Sequence, residues 1–142
     1  MSFKKLKDRI KKNEGYSVRP YQDQLGFYTI GYGHLITEKE RKYYINKFKK
    51  KHFDDLFEID FKKAYKQYKK NFSKKGHTTS EKELLIEMLF QLGVSGVSKF
   101  KKMLYFLNKK KKFMASLEML DSLWYSQTPE RVENLIKNYI KK

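Results

Sequence analysis

The stretch from Glu14 to His34 constrains the chain more than any other, because it places two carboxylates, a hydroxyl and four glycines inside one helix-to-hairpin transition. Upstream of it, Phe3, Leu6 and Ile10 recur at helical spacing, and the stripe extended by four residues lands on Glu14. The spacing predicts a helix over 2–14. Gly15 follows at once, and a glycine directly after the last periodic residue is the usual way to end a helix with a positive φ. From Arg19 the pattern changes to short aromatic and β-branched runs around Asp23-Gln24-Leu25-Gly26, with Phe27-Tyr28-Thr29-Ile30 as the return strand of a hairpin. Glu14 is thus expected at a helix end and Asp23 at a turn.

A carboxyl leaning on apolar neighbours has its charged form disfavoured, whereas one on a solvated turn stays ionised. Two carboxyls tuned apart in this way suit an acid and a base. Glycosidic bond cleavage needs that pair: one protonates the leaving oxygen while the other assists water or the developing oxocarbenium ion. Thr29 is placed to orient that water.

The spacing Glu14, Asp23, Thr29 sits inside Glu14-Gly15 and Tyr21-x-Asp23-x-x-Gly26-x-Tyr28-Thr29-Ile30-Gly31-x-Gly33-His34, and it resembles the T-even type phage lysozymes (endolysins) of glycoside hydrolase family 24. Two further blocks agree, in the same order along the chain: Met88-Leu89-Phe90-Gln91-Leu92-Gly93 with Gly96-Val97, and Trp124-Tyr125-Ser126-Gln127-Thr128-Pro129-Glu130-Arg131. The resemblance spans about residues 3 to 140, by pattern more than identity over 38–80. It implies a lysozyme-like α+β fold, mostly helical: a small hairpin lobe over about 14–56, a connector helix over about 54–72, and a helical lobe over about 73–142 joined by the N-terminal helix. It also implies a muramidase acting on bacterial peptidoglycan with no cofactor and no metal. Glu14 would be the general acid, Asp23 would assist the water, and Thr29 would position it. Leu35, Phe90, Gln91 and Phe100 would bind substrate, Arg131 would lie against the catalytic glutamate and lower its pKa, and His34 would pair with Asp60. The implied biology is host lysis, by a monomer held in the host cytoplasm until a separate pore-forming protein lets it reach the wall. The chain departs from the family where the segment after the hairpin is shorter, where Asn13 stands for an aspartate, and where Met103 and Glu118 stand for polar cleft residues.

At 142 residues the chain suits one domain and buries about 70% of its unfolded surface, enough for a real core. It has no cysteine, which excludes disulfides, thiolate metal sites and a cysteine nucleophile. The N-terminus is basic without the apolar stretch of a signal peptide, and no apolar run approaches the roughly eighteen residues that span a bilayer; the expectation is a cytosolic protein. The formal charge is +17, from 33 basic residues against 16 acidic ones. Such a field attracts polyanions without selecting one. Only Arg9, Arg19, Arg41 and Arg131 are arginines, and they are scattered, whereas base-edge readout most often uses an arginine fork. A basic nucleic-acid-binding protein, or a non-catalytic cationic protein that binds wall or membrane, are the alternatives from other classes.

Beyond the hairpin, Thr37-x-x-Glu40 reads as a capping box before a short helix with Tyr43, Tyr44 and Phe48 on one face. Residues 47–52 read as its end or a connection. Phe57, Phe61, Ala64, Tyr65, Tyr68 and Phe72 then set the long helix over 54–72. Ser80-x-x-Glu83 reads as a second capping box, opening a central helix that is apolar nearly all round, with Gln91 its odd residue. Gly93 and Gly96 bracket a turn into a helix over 98–108, Lys109 to Lys112 read as a loop, and a further helix over 113–123 is expected to turn Leu117, Leu120 and Leu123 inward. Thr128-Pro129 opens the last helix, with threonine as cap and proline at the first helical position. His52 and His77 show no partner spacing, and no metal site is read from them.

Overall fold

The computed structural model describes residues 3–24 and 26–141. These form seven α-helices and one three-stranded antiparallel sheet in the order α1 (Lys4–Glu14), β1 (Ser17–Gln22), β2 (Tyr28–Gly31), β3 (His34–Leu35), α2 (Lys50–Asn71), α3 (Thr79–Ser98), α4 (Lys101–Asn108), α5 (Lys112–Leu120), α6 (Leu123–Gln127) and α7 (Pro129–Ile140). The result is α+β and mostly helical. The chain divides into two compact units, one up to Lys62 and one from Lys63 onward, so that the boundary falls within α2 and α1 groups with the sheet.

In the first unit, α1 buries Phe3, Leu6 and Ile10, the stripe expected from their spacing. It begins at Lys4; Ser2 lies outside the described residues. Gly15 ends it with φ 73°, its N–H donating to Lys11 O at 3.0 Å. In the sheet, Tyr21 pairs with Thr29, and Thr29 in turn with Leu35. Ile30, Tyr44 and Phe53 form a buried cluster with Tyr32, Ile36, Phe48 and Leu56 packed on it. Gly31 meets this cluster at φ 66°: a Cβ there would stand 2.8 Å from Cδ1 of the Phe53 ring.

Two expectations change here. The segment after Thr37 is not an α-helix but two 3-10 turns, Glu38–Glu40 and Tyr43–Ile45, with Tyr44 buried and Tyr43 exposed. The Glu40 carboxylate does accept from the Thr37 N–H at 3.0 Å, but it is also engaged elsewhere, and no helix propagates from it. The long helix starts at Lys50 rather than Asp54, because the lysines read as a frayed connection pair along it, Lys50 with Asp54 at 2.9 Å and Lys51 with Asp55 at 2.8 Å. His52 belongs to this first turn, its ring stacked on Phe48 at 4.3 Å and its Nε2 3.2 Å from the Tyr44 hydroxyl.

In the second unit, Leu84, Leu85, Ile86, Met88 and Leu89 of α3 are buried, as the apolar sequence requires. The cap is Thr78, not Ser80: the Thr78 hydroxyl accepts from Glu81 N at 3.3 Å and the Glu81 carboxylate accepts from Thr78 N at 2.7 Å. Glu81 is fully buried and meets Lys110 Nζ at 2.5 Å, a link across 29 residues that decides between two overlapping capping patterns. Its other oxygen, Oε2, and the buried Tyr139 hydroxyl have no hydrogen-bond partner among the described residues. Gly93 takes φ 73° and breaks α3 into two helical runs. The following helix starts at Lys101 rather than Ser98, after Phe100 leaves the helical region.

His77, read as partnerless, is buried between the Tyr68 hydroxyl (2.6 Å to Nδ1) and Asn108 Oδ1 (2.8 Å to Nε2). Met103 is buried in the core rather than exposed to a cleft. α5 begins at Lys112 and turns the other way from expectation: Ala115, Ser116 and Met119 are buried, while Leu117, Leu120 and Leu123 are exposed. The helix stops at Leu120 and packs Ala115, Ser116 and Met119 inward in place of the leucines. Pro129 does open α7, yet the Thr128 hydroxyl donates back to Trp124 O at 3.2 Å and does not cap it. Val132, Leu135 and Tyr139 form the buried face of α7.

Candidate active site

Glu14 is the last residue of α1, half-buried, and its carboxyl lies against the backbone of the β2–β3 turn. A Cβ built on Gly33 would stand 2.7 Å from the Glu14 carboxyl carbon and closer still to Oε1. Gly33 has φ 75°. The glycine therefore serves two needs, a left-handed turn and a flat surface for the carboxyl to rest on.

Asp23 sits where the hairpin turns. Its backbone N–H donates to Phe27 O at 2.8 Å, its carboxylate accepts from Phe27 N at 2.9 Å, and its carbonyl accepts from Gly26 N at 3.0 Å, with Gly26 at φ 87°. These bonds fix the carboxylate on the turn. Thr29 follows in β2, 3% exposed, its hydroxyl donating to Tyr21 O across the strand pair at 3.3 Å. Leu35 on β3, the register partner of Thr29, is half exposed.

His34 is clamped by two carboxylates. Its Nδ1 is 2.7 Å from Asp60 Oδ2 on α2, as expected, and its Nε2 is 2.9 Å from Glu40 Oε2, which the sequence did not reveal. A neutral imidazole donates through one nitrogen only, so a carboxylate on each nitrogen calls for the imidazolium. Burial lowers the pKa, but Asp60 first and then Glu40 outweigh it and leave the net shift upward. Burial likewise raises Glu40, and the Thr37 N–H followed by His34 turns the net shift downward.

The remaining candidates lie in the second unit. Gln91 accepts from the Trp124 indole at 3.1 Å, and Phe100 meets the same indole edge to face at 5.5 Å. Phe90 is half-buried beside Gln91 on α3. Arg131, on α7, has its side chain only 10% exposed and 3.7 Å from Glu87 Oε2. Glu87 is fully buried on α3, and sequence reasoning missed it. The available signal was a lone acid within the apolar run Leu84 to Leu89.

Among the described residues no cluster of three or more His, Asp or Glu side chains could hold a metal ion, and no helix is long and apolar enough to cross a membrane. Over residues 11–138 the chain matches the family described as phage lysozyme. It is similar to "probable T4-type lysozyme 1" and "probable T4-type lysozyme 2" of Dictyostelium discoideum, at 34% and 33% identity, with 92% of this chain and 91% of each relative aligned. It is also 30% identical to the pre-baseplate central spike protein Gp5 of Enterobacteria phage T4, where 92% of this chain aligns with 26% of that protein.

Proposed function

Because the chain belongs to the phage lysozyme family, and is therefore a peptidoglycan-cleaving glycoside hydrolase of lysozyme-like α+β fold, we propose that it cuts the β-1,4 bond between N-acetylmuramic acid and N-acetylglucosamine with inversion. The observation that carries the assignment is the Glu14 carboxyl resting on the Gly33 backbone, in the same folded unit as the Asp23 turn. Glu14 gives its proton to the glycosidic oxygen as the C1–O bond breaks. A water attacks C1 from the opposite face and passes its proton to Asp23, whose charge also stabilises the oxocarbenium-like ring.

Thr29 holds that water. Its hydroxyl proton is engaged by Tyr21 O, so it offers the water an acceptor lone pair. The water then donates one proton to Thr29 and one to Asp23, leaving its own lone pair for C1. Leu35, Phe90, Gln91 and Phe100 bind the glycan, while His34 and Asp60 hold the sheet to α2. The chain needs no cofactor for this. It acts as a monomer in host lysis, held in the host cytoplasm until a separate pore-forming protein opens the way to the wall.

Clearing of purified peptidoglycan tests the residues. Glu14→Gln and Asp23→Asn should each lose at least about two decades of rate, the scale of general acid–base assistance. A variant that keeps half of wild-type clearing removes its residue from the mechanism. Proton NMR of the first-formed reducing end tests the stereochemistry: the α-anomer should precede mutarotation. A β-anomer first, or a glycosyl ester trapped on Asp23, makes Asp23 a nucleophile and ends the role given to Thr29.

A further inference from the structure

Helix α5 is apolar on two faces. Its nine residues carry only two charges, Lys112 and Glu118. Ala115, Ser116 and Met119 are buried in the second unit, but Phe113 is 72% exposed, and Met114, Leu117 and Leu120 also face solvent. Phe113, Leu117 and Leu120 follow one another at steps of four and three, which stacks them on one side of the helix. Leu123, 73% exposed, comes directly after. A helix apolar all round is normally enclosed, and an exposed apolar face with a charged rim marks a contact surface.

The rim is lysine. Between positions 99 and 112 the sequence has seven lysines and no acidic residue. Lys101 and Lys102 on α4 line a groove of about 410 Å³ beside Met114, together with Tyr105, Phe106 and Glu118. Lys109 and Lys111 are exposed in the loop that leads into α5.

We propose that this face docks on the surface of an anionic lipid bilayer, with Phe113, Leu117 and Leu120 entering the acyl boundary and the lysines meeting headgroup phosphates. Charge complementarity selects the occupant. Nucleic acid and anionic wall polymers match the lysines but offer no apolar phase for four large side chains. A second copy would bring an identical lysine rim and another +17 charge against the first. An anionic bilayer supplies both phosphate and hydrocarbon, and binding to it grows with buried apolar area and with each basic residue near the surface. The surface is independent of the glycan chemistry, so either can fail without the other.

Co-sedimentation of the full chain with vesicles tests it, because vesicles hold no glycan. Wild type should bind phosphatidylglycerol/phosphatidylcholine vesicles and not pure phosphatidylcholine. The pair Phe113→Ser and Leu117→Ser keeps the net charge and should weaken binding at least about tenfold. Ile45→Ser, at an 82% exposed site in the first unit, should leave it unchanged. Phe113→Trp should bind as wild type and be quenched by brominated lipid. Absence of binding to anionic vesicles, a serine pair that binds as wild type, or an unquenched Trp each overturns the proposal. So does a wild-type dimer that the serine pair dissolves.

Discussion

Gly33→Ala separates stability from catalysis within one residue. The added Cβ meets the Glu14 carboxyl, 2.7 Å from its carbon, on a backbone at φ 75°. The backbone term costs about 1–2 kcal/mol, since a left-handed conformation brings Cβ against the following carbonyl. The collision adds less than a clash with packed backbone would, because the carboxyl is the far end of a flexible side chain that can swing aside. For the reaction that same swing is the damage: a misplacement of about 1 Å at a reacting group costs on the order of 10²-fold in rate. The variant should therefore melt only about 2–8 °C lower while clearing peptidoglycan about a hundredfold more slowly. Gly31→Ala is the matched control, with a similar φ of 66° but a Cβ that would strike the Phe53 ring at 2.8 and 3.2 Å and its Cβ at 3.3 Å. That ring is packed in the core and cannot swing, so overpacking of about 1–3 kcal/mol adds to the backbone cost. Thermal melts and clearing rates of the two proteins decide the matter. If Gly33→Ala clears peptidoglycan at nearly the wild-type rate, the position of Glu14 against that turn is not what the reaction uses.

His34 gains two anionic partners and its pKa is raised, so its stabilising effect is full below the unfolded value, about 6.5, and is lost as pH rises through the folded one. His34→Asn should then cost clearly more in urea melts at about pH 5 than at about pH 9; a larger cost at the higher pH would mean a neutral buried imidazole. Thr78→Ala should cost about 1 kcal/mol and Ser80→Ala close to nothing, and the reverse order would return the α3 cap to Ser80. Because lysines dominate the charge, binding to whole walls should weaken steeply with salt while cleavage of short uncharged glycan fragments barely changes. Equal salt sensitivity would remove surface attraction as the cause. DNA should bind without sequence preference, and a strong preferred site would favour a nucleic-acid function.

What the sequence disclosed was local. Phe3, Leu6 and Ile10 are three and four apart, and Gly15 ends their helix with the positive φ that only the next residue had to supply. The hairpin around Asp23 declared itself through its glycine and flanking strands in the same way. Where a choice depended on distant partners, the pattern alone could not make it. Thr78 and Ser80 both begin a capping pattern, and Lys110, remote in sequence, favours Glu81. Arg131 and Glu87 are 44 positions apart, and nothing near either one announces the other. Glu40 was legible as a capping residue, but its second role at His34 needed the fold. α5 differs for another reason: with apolar residues on every side, its periodicity names no inward face, and the packing takes Ala115, Ser116 and Met119 and leaves Leu117 and Leu120 outside.

Glu81 has a consequence for how the second unit opens. Helix ends ordinarily fray and exchange their amide protons first, one residue at a time. At the head of α3 the carboxylate that holds the Thr78 amide is itself buried and held by Lys110, whose Nζ also donates to Gly76 O at 2.6 Å. Its charge reaches α7 too, where burial and then Glu81 push the Tyr139 phenol up to about 12. Releasing that first turn would strand a buried anion and loosen the α4–α5 loop in the same event. Deuterium should therefore enter the Thr78 and Glu81 amides at the rate of collective opening, making a helix terminus one of the slow-exchanging parts of the protein.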